Sequence, residues 1–124
     1  MSRIVYVNGA FVPEKEAKVS VFDRGFLFAD GVYEVTSVVD GRLVDNAAHL
    51  ARLQRSLAEL KMASPLPMAE IEAIQRDMVA RNGLIEGALY LQVSRGAADR
   101  DFALPKAAEP SLVMFTQARK LIDN

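Results

Sequence analysis

The sequence predicts an α+β fold, a two-layer sandwich in which a mainly antiparallel sheet carries two helices on one side. Three observations lead there. Runs rich in β-branched and aromatic residues open and close the chain, two helical stripes occupy its middle, and Asn-Gly and Asp-Gly dipeptides punctuate the first strand runs. Helices set between hairpins suit one sheet covered on one face.

The first element is the hairpin "RIVYVNGAFV". Ile4, Tyr6 and Phe11 flank Asn8-Gly9, a pair that accepts the positive φ angles of a tight turn. "PEKEAK" reads as a solvated connection, and "VSVF" as a short strand or an extended arm. Gly25 and Asp30-Gly31 read as turn punctuation. "VYEVTSVVDGRLV" is a second hairpin, turning at Asp40-Gly41 and returning over Arg42 to Val44.

Asp45 or Asn46 is placed to cap a helix whose Leu50, Leu53, Leu57 and Leu60 form one apolar stripe. "SPLP" breaks it, because proline cannot continue a helix. A second helix starts near Met68, buries Ile71, Ile74, Met78 and Val79, and ends at Asn82-Gly83. "ALYLQVSRG" and "SLVMFTQ" are strands, separated by the long polar loop "AADRDFALPKAAEP". "TQARKLIDN" has no stop signal and is expected to lead onward.

Composition excludes several classes of function. A chain of 124 residues is one domain, and 51 % apolar with 25 % charged residues is ordinary for a globular one. A net charge of −1 with interspersed signs is no polyanion-binding signature. With no cysteine and one histidine, neither a disulfide scaffold nor a thiolate or histidine-rich metal site is expected. "MSRIVYVNGAFVPEKE" does not read as a signal peptide, and no window is long enough to span a membrane, so a cytoplasmic location is expected.

Few residues stand out for chemistry. On a strand, Tyr33 and Val35 share a face with Gly31 and Ser37, while Val32, Glu34 and Thr36 point the other way. Periodicity alone favours a core tyrosine bonded to a backbone carbonyl. The sharper reading is a ligand lodged beside the phenol, where Gly31 leaves space. Glu34 reads as an ion-pair or hydrogen-bond partner, and His49 as a structural histidine. Arg52, beside the leucine stripe, either snorkels to water or presents its fork to a phosphate. Arg55 and Lys61 read as solvated. The long loop and its approach hold Arg95, Arg100, Asp101 and Phe102. "DRD" is either a solvated cluster or a device that holds Arg100 out toward a carboxylate. No P-loop, dinucleotide fingerprint or Ser-His-Asp pattern is present.

Taken together, "DRGFLFADGVYEV", "HLARLQRSLAELKM" and "YLQVSRGAADRDFALP" resemble the N-terminal half of the class IV (fold type IV) pyridoxal-phosphate aminotransferases. The D-amino-acid (D-alanine) branch is nearest, because branched-chain aminotransferases and aminodeoxychorismate lyases usually carry G-V-F-E-G or G-L-F-E-T where this chain has "GVYEV". The resemblance runs from "YVNGAFV" to "SLVMFTQ". It implies that residues 1–124 are a small N-terminal domain and that a larger C-terminal domain bears the Schiff-base lysine. None of Lys15, Lys18, Lys61, Lys106 and Lys120 matches that lysine's motif. Alone, the segment is expected to be inactive and not to hold pyridoxal 5'-phosphate.

For the parent enzyme the resemblance implies transfer of an amino group from a D-amino acid to a 2-oxo acid such as 2-oxoglutarate, in a homodimer. Tyr33 would contribute to the substrate-carboxylate site and Val35 would wall the side-chain pocket. Arg52 would contact the cofactor phosphate, and Arg100 would reach across the dimer to the substrate carboxylate. D-alanine enzymes commonly have a histidine two residues after that arginine, where this chain has Phe102 and one donor fewer. The alternatives are the lyase or branched-chain chemistry of the same fold, or a stand-alone dimerisation or binding module.

Overall fold

A computed structural model describes residues 3–106 and 108–122. Its strands are β1 (Ile4–Val7), β2 (Ala10–Pro13), β3 (Gly31–Val39), β4 (Arg42–Leu43), β5 (Gly87–Ser94) and β6 (Ser111–Ala118). They form one sheet in the order β2-β1-β6-β5-β3-β4, with every neighbouring pair antiparallel. The two early hairpins therefore occupy opposite edges, and β5 and β6 close the gap between them. Both turns behave as their residues require: φ is +46° and +95° at Asn8-Gly9, and +54° and +71° at Asp40-Gly41.

Two long helices, α2 (Asn46–Glu59) and α3 (Met68–Arg81), cover one face. Leu50, Leu53 and Leu57 of α2 and Ile71, Met78 and Val79 of α3 pack on Leu89, Leu91, Val93, Leu112 and Met114 of the central strands. Each such side chain removed from water stabilises the fold by about 1.5–3 kcal/mol. Both helices end in the same way. Lys61 and Gly83 adopt φ of +55° and +56°, and the next residues, Met62 and Leu84, donate back to Leu57 and Val79 and turn inward.

Several local expectations are corrected. Leu60 leaves the leucine stripe and is 38 % exposed, because α2 stops at Glu59 and Lys61 reverses the chain. Neither Asp45 nor Asn46 caps α2 with its side chain. Asp45 is left-handed, and the Asn46 amide is used elsewhere: it donates to Gln75 at 2.8 Å and accepts from Thr36 at 3.1 Å, locking α2 to α3 and β3. The "PEKEAK" connection contains a single 3-10 turn (Glu14–Glu16), and residues 17–22 form no strand. The return strand β4 stops at Leu43. The "DRGFLF" stretch is a third helix, α1 (Arg24–Phe28), rather than a plain turn; the Asp23 carboxylate accepts from Gly25 N–H at 2.8 Å and starts it. Asp123 and Asn124, the end of the expected onward connection, lie outside the described residues.

Candidate functional site

β3 separates two environments. Glu34, Thr36 and Val38 point into the helical layer and are buried. Tyr33 and Val35 point to the face opposite α2 and α3 and are 63 % and 42 % exposed. This overturns the core-tyrosine reading favoured by periodicity. The strand is inverted in polarity, since a glutamate and a threonine face inward and find partners there. Tyr33 instead heads a ladder of rings on the open face. It stacks on Tyr90 of β5 at 5.6 Å between centroids, and Tyr90 stacks on Phe115 of β6 at 4.9 Å. Burial, then the neighbouring Tyr33, raises the Tyr90 phenol above its ordinary range. The ladder escaped notice in the sequence, although Tyr90 and Gln92 alternate with Leu89, Leu91 and Val93 in "LYLQV".

On the inner face, Glu34 ties a knot with two residues of α2. Arg52 donates from Nε to Oε2 and from Nη2 to Oε1, both at 2.8 Å, a bidentate fork. His49 Nδ1 lies 2.7 Å from Oε1. The Arg52 hydrogen bonds hold the Glu34 carboxyl below its usual range against the opposing effect of burial, and His49 adds to them. An ionised carboxylate only accepts, so Nδ1 carries the proton in this contact. The expected roles of Glu34 as ion-pair partner and His49 as structural histidine both hold geometrically.

Arg52 neither simply snorkels nor lies free. Its fork is anchored, its side chain is 58 % exposed, and Nη1 has no hydrogen bond among the described residues. Among the described residues the short β4 pairs only with Val38 and Val39 and Val44 N–H bonds to Ser37, which leaves the outer edge of β3 without a strand partner from Gly31 to Thr36. Arg52 flanks this edge from the helical side while Tyr33 stands on the other side. An aimed guanidinium with spare donors at an open edge fits a phosphate group.

Arg100 sits apart, in the loop between β5 and β6. Its guanidinium lies 5.3 Å from the Phe28 ring centre and 5.2 Å from that of Phe102, and those rings are 5.5 Å apart. No contact joins it to Tyr33, Val35 or Arg52 among the described residues. Phe102 is 78 % exposed. The loop base is held by a cluster that sequence reasoning missed. Asp30 Oδ2 accepts from Arg24 Nε and from Arg95 Nε, each at 2.8 Å. Burial pushes the Asp30 carboxyl up, but the bonds from Arg24 and Arg95 outweigh it and leave it below its ordinary range. Arg95 also reaches the Leu60 carbonyl at 2.9 Å, joining the loop to the end of α2.

Among the described residues, no group of histidine and acidic side chains is arranged to hold a metal ion, and no helix is long and apolar enough to cross a membrane.

The sequence profile described as amino-transferase class IV matches residues 31–123. The chain belongs to this pyridoxal-phosphate-dependent family. It is 36 % identical over 115 residues to a D-alanine aminotransferase of Staphylococcus epidermidis, an alignment covering 92 % of this chain and 41 % of that protein. The chain thus spans about two fifths of the length of such relatives. Its fold resembles a branched-chain amino acid aminotransferase of Escherichia coli, with a TM-score of 0.84 at 17 % identity, over 96 % of this chain and 42 % of that one. It also resembles a 4-amino-4-deoxychorismate lyase of Pseudomonas aeruginosa, with a TM-score of 0.74 at 28 % identity, over 96 % and 41 %.

Proposed function

We propose that this chain is the small N-terminal domain of a class IV aminotransferase that moves an amino group from a D-alanine-like amino acid to a 2-oxo acid such as 2-oxoglutarate. The observation that carries the reading is a pair of exposed arginines, Arg52 beside the edge of β3 and Arg100 in the loop between β5 and β6. Arg52 keeps donors free while Glu34 holds its fork, and Arg100 is held by ring faces with no carboxylate partner among the described residues. Two anion-binding groups suit a ligand pair with a phosphate on one member and a carboxylate on the other.

Pyridoxal phosphate, when bound, supplies the electron sink on which amino-group transfer depends. This chain's residues supply position. Arg52 holds the phosphate, Arg100 and Tyr33 hold the substrate carboxylate, and Val35 limits the side chain that fits. Orientation of this kind accounts for a large share of such a rate. The lysine that bonds the cofactor would come from a larger C-terminal domain, and Arg100 would serve the neighbouring subunit of a cytoplasmic homodimer. The segment alone is then inactive.

A second reading, aminodeoxychorismate lyase, draws support from the 28 % identity to the Pseudomonas aeruginosa enzyme and from Phe102, which offers no donor for a second carboxylate contact. The discriminating experiment assays the whole protein carrying this chain, loaded with cofactor, on D-alanine, L-leucine and aminodeoxychorismate. Turnover of D-alanine with 2-oxoglutarate above the other two is expected. Preference for aminodeoxychorismate or L-leucine would replace the D-amino-acid reading. In parallel, borohydride reduction of the isolated 124-residue chain with cofactor should label no single lysine stoichiometrically.

A further inference from the structure

Arg24 is the least exposed arginine of the loop base, with 4 % of its surface accessible, and it makes three distinct contacts. Nε donates to Asp30 Oδ2 at 2.8 Å. Nη1 donates to the backbone carbonyl of Asp101, also at 2.8 Å. The guanidinium carbon lies 4.6 Å from the centre of the Phe28 ring. The second contact fixes the Asp101–Phe102 peptide, one residue beyond Arg100, and the third fixes the ring over which the Arg100 guanidinium lies.

We propose that Arg24 is a positioning residue that aims Arg100 at the substrate carboxylate. The inference rests on the reading of Arg100 given above. The Asp30 contact alone would not require Arg24, because Arg95 satisfies the same carboxylate oxygen and anchors it to α2. What Arg24 adds is a grip on residues far away in sequence. Its own backbone N–H is tied to Gly96 at 2.8 Å, so the helix carrying it moves with the loop base. A buried side chain that pins both a backbone carbonyl and a ring leaves the adjacent exposed guanidinium few orientations. Holding a binding group in one orientation reduces the freedom lost when the ligand arrives.

Lysine at this position keeps the charge near Asp30 but cannot span the carboxylate and the carbonyl with a rigid fork. The experiment compares Arg24→Lys, Phe28→Leu and Arg100→Ala in the whole cofactor-loaded protein. Arg24→Lys is expected to raise KM for the amino-acid donor about tenfold with kcat changed less than about twofold, as for an interaction used equally in ground and transition states. Phe28→Leu, which keeps an apolar side chain but removes the ring, is expected to raise KM about threefold and guards against poor folding of the buried variant. Amide exchange supplies a second readout. Ala103 N–H, held by the Asp101 carboxylate at 3.0 Å, should exchange faster in Arg24→Lys, while amides of β5 should not. An unchanged KM in both Arg24→Lys and Phe28→Leu, alongside a raised KM in Arg100→Ala, would overturn the positioning role alone. An unchanged KM in Arg100→Ala would overturn the carboxylate reading of Arg100, and the proposal with it.

Discussion

The guanidinium of Arg52 is gripped by a carboxylate, and that of Arg100 by aromatic rings. Arg52 projects from a regular helix onto Glu34 of a regular strand, with two hydrogen bonds and a histidine on the same carboxylate. Arg100 projects from a loop, and its orientation depends on Phe28, Phe102 and the buried cluster at the loop base. The first grip is strong and specific in angle, but occupies two of the three nitrogens. The second is weaker and leaves the whole donor edge free. A resident cofactor that must stay suits the first, and a substrate that must come and go suits the second.

Gly96 is where the base of the Arg100 loop is most sensitive to change. Its φ is +105°, and an added Cβ would sit 1.9 Å from the Glu109 carbonyl oxygen. Gly96→Ala should therefore cost about 3 kcal/mol or more and displace the loop, while leaving the Glu34 knot intact. Urea unfolding with NMR shifts of His49 as a local reporter would check both halves. An undisturbed loop in the variant would show that its base is not rigidly set.

The opposite test removes the knot. Glu34→Gln replaces a carboxylate that is 5 % exposed and should destabilise the chain by about 2 kcal/mol, leaving the loop unaffected. The pH dependence follows from the same group. Glu34 and Asp30 are both held below their ordinary range, so the unfolded chain binds protons first as pH falls. Their contribution is fully present above the unfolded values near pH 4 and is lost as pH drops through the lower folded values. Glu34→Gln should flatten part of that acid limb. An identical slope in wild type and variant would show that another group dominates it.

Tyr33→Phe is the mildest test. The tyrosine is mostly exposed and its ring stacking survives in phenylalanine, so stability should move by less than about 0.5 kcal/mol. A larger loss would mean that the hydroxyl holds the open face together rather than serving a ligand.

What the sequence disclosed follows from the range of each interaction. Asn8-Gly9, Asp40-Gly41 and Gly83 were legible because positive φ is a local demand that few residues meet. The leucine and isoleucine stripes were legible because burial repeats with the helical period. The polarity of β3 was not. Alternation separated Tyr33 and Val35 from Glu34 and Thr36, but which set faced the core depended on Asn46, His49 and Arg52 waiting on another element. Helix α1 is too short for periodicity. The Arg24–Asp30–Arg95 cluster joins residues up to 71 positions apart, with no local sign of their meeting.

If the two arginines divide the work between cofactor and substrate, one paired measurement separates their roles. In the whole protein, Arg52→Ala and Arg100→Ala are each assayed for cofactor affinity and, at saturating cofactor, for amino-acid KM. Arg52→Ala should weaken cofactor binding roughly ten- to a hundredfold with little change in amino-acid KM. Arg100→Ala should leave cofactor affinity unchanged and raise amino-acid KM by a comparable factor. If both variants lost cofactor and substrate affinity alike, or if Arg52→Ala bound cofactor as wild type does, the two differently held arginines would not be serving two different ligands.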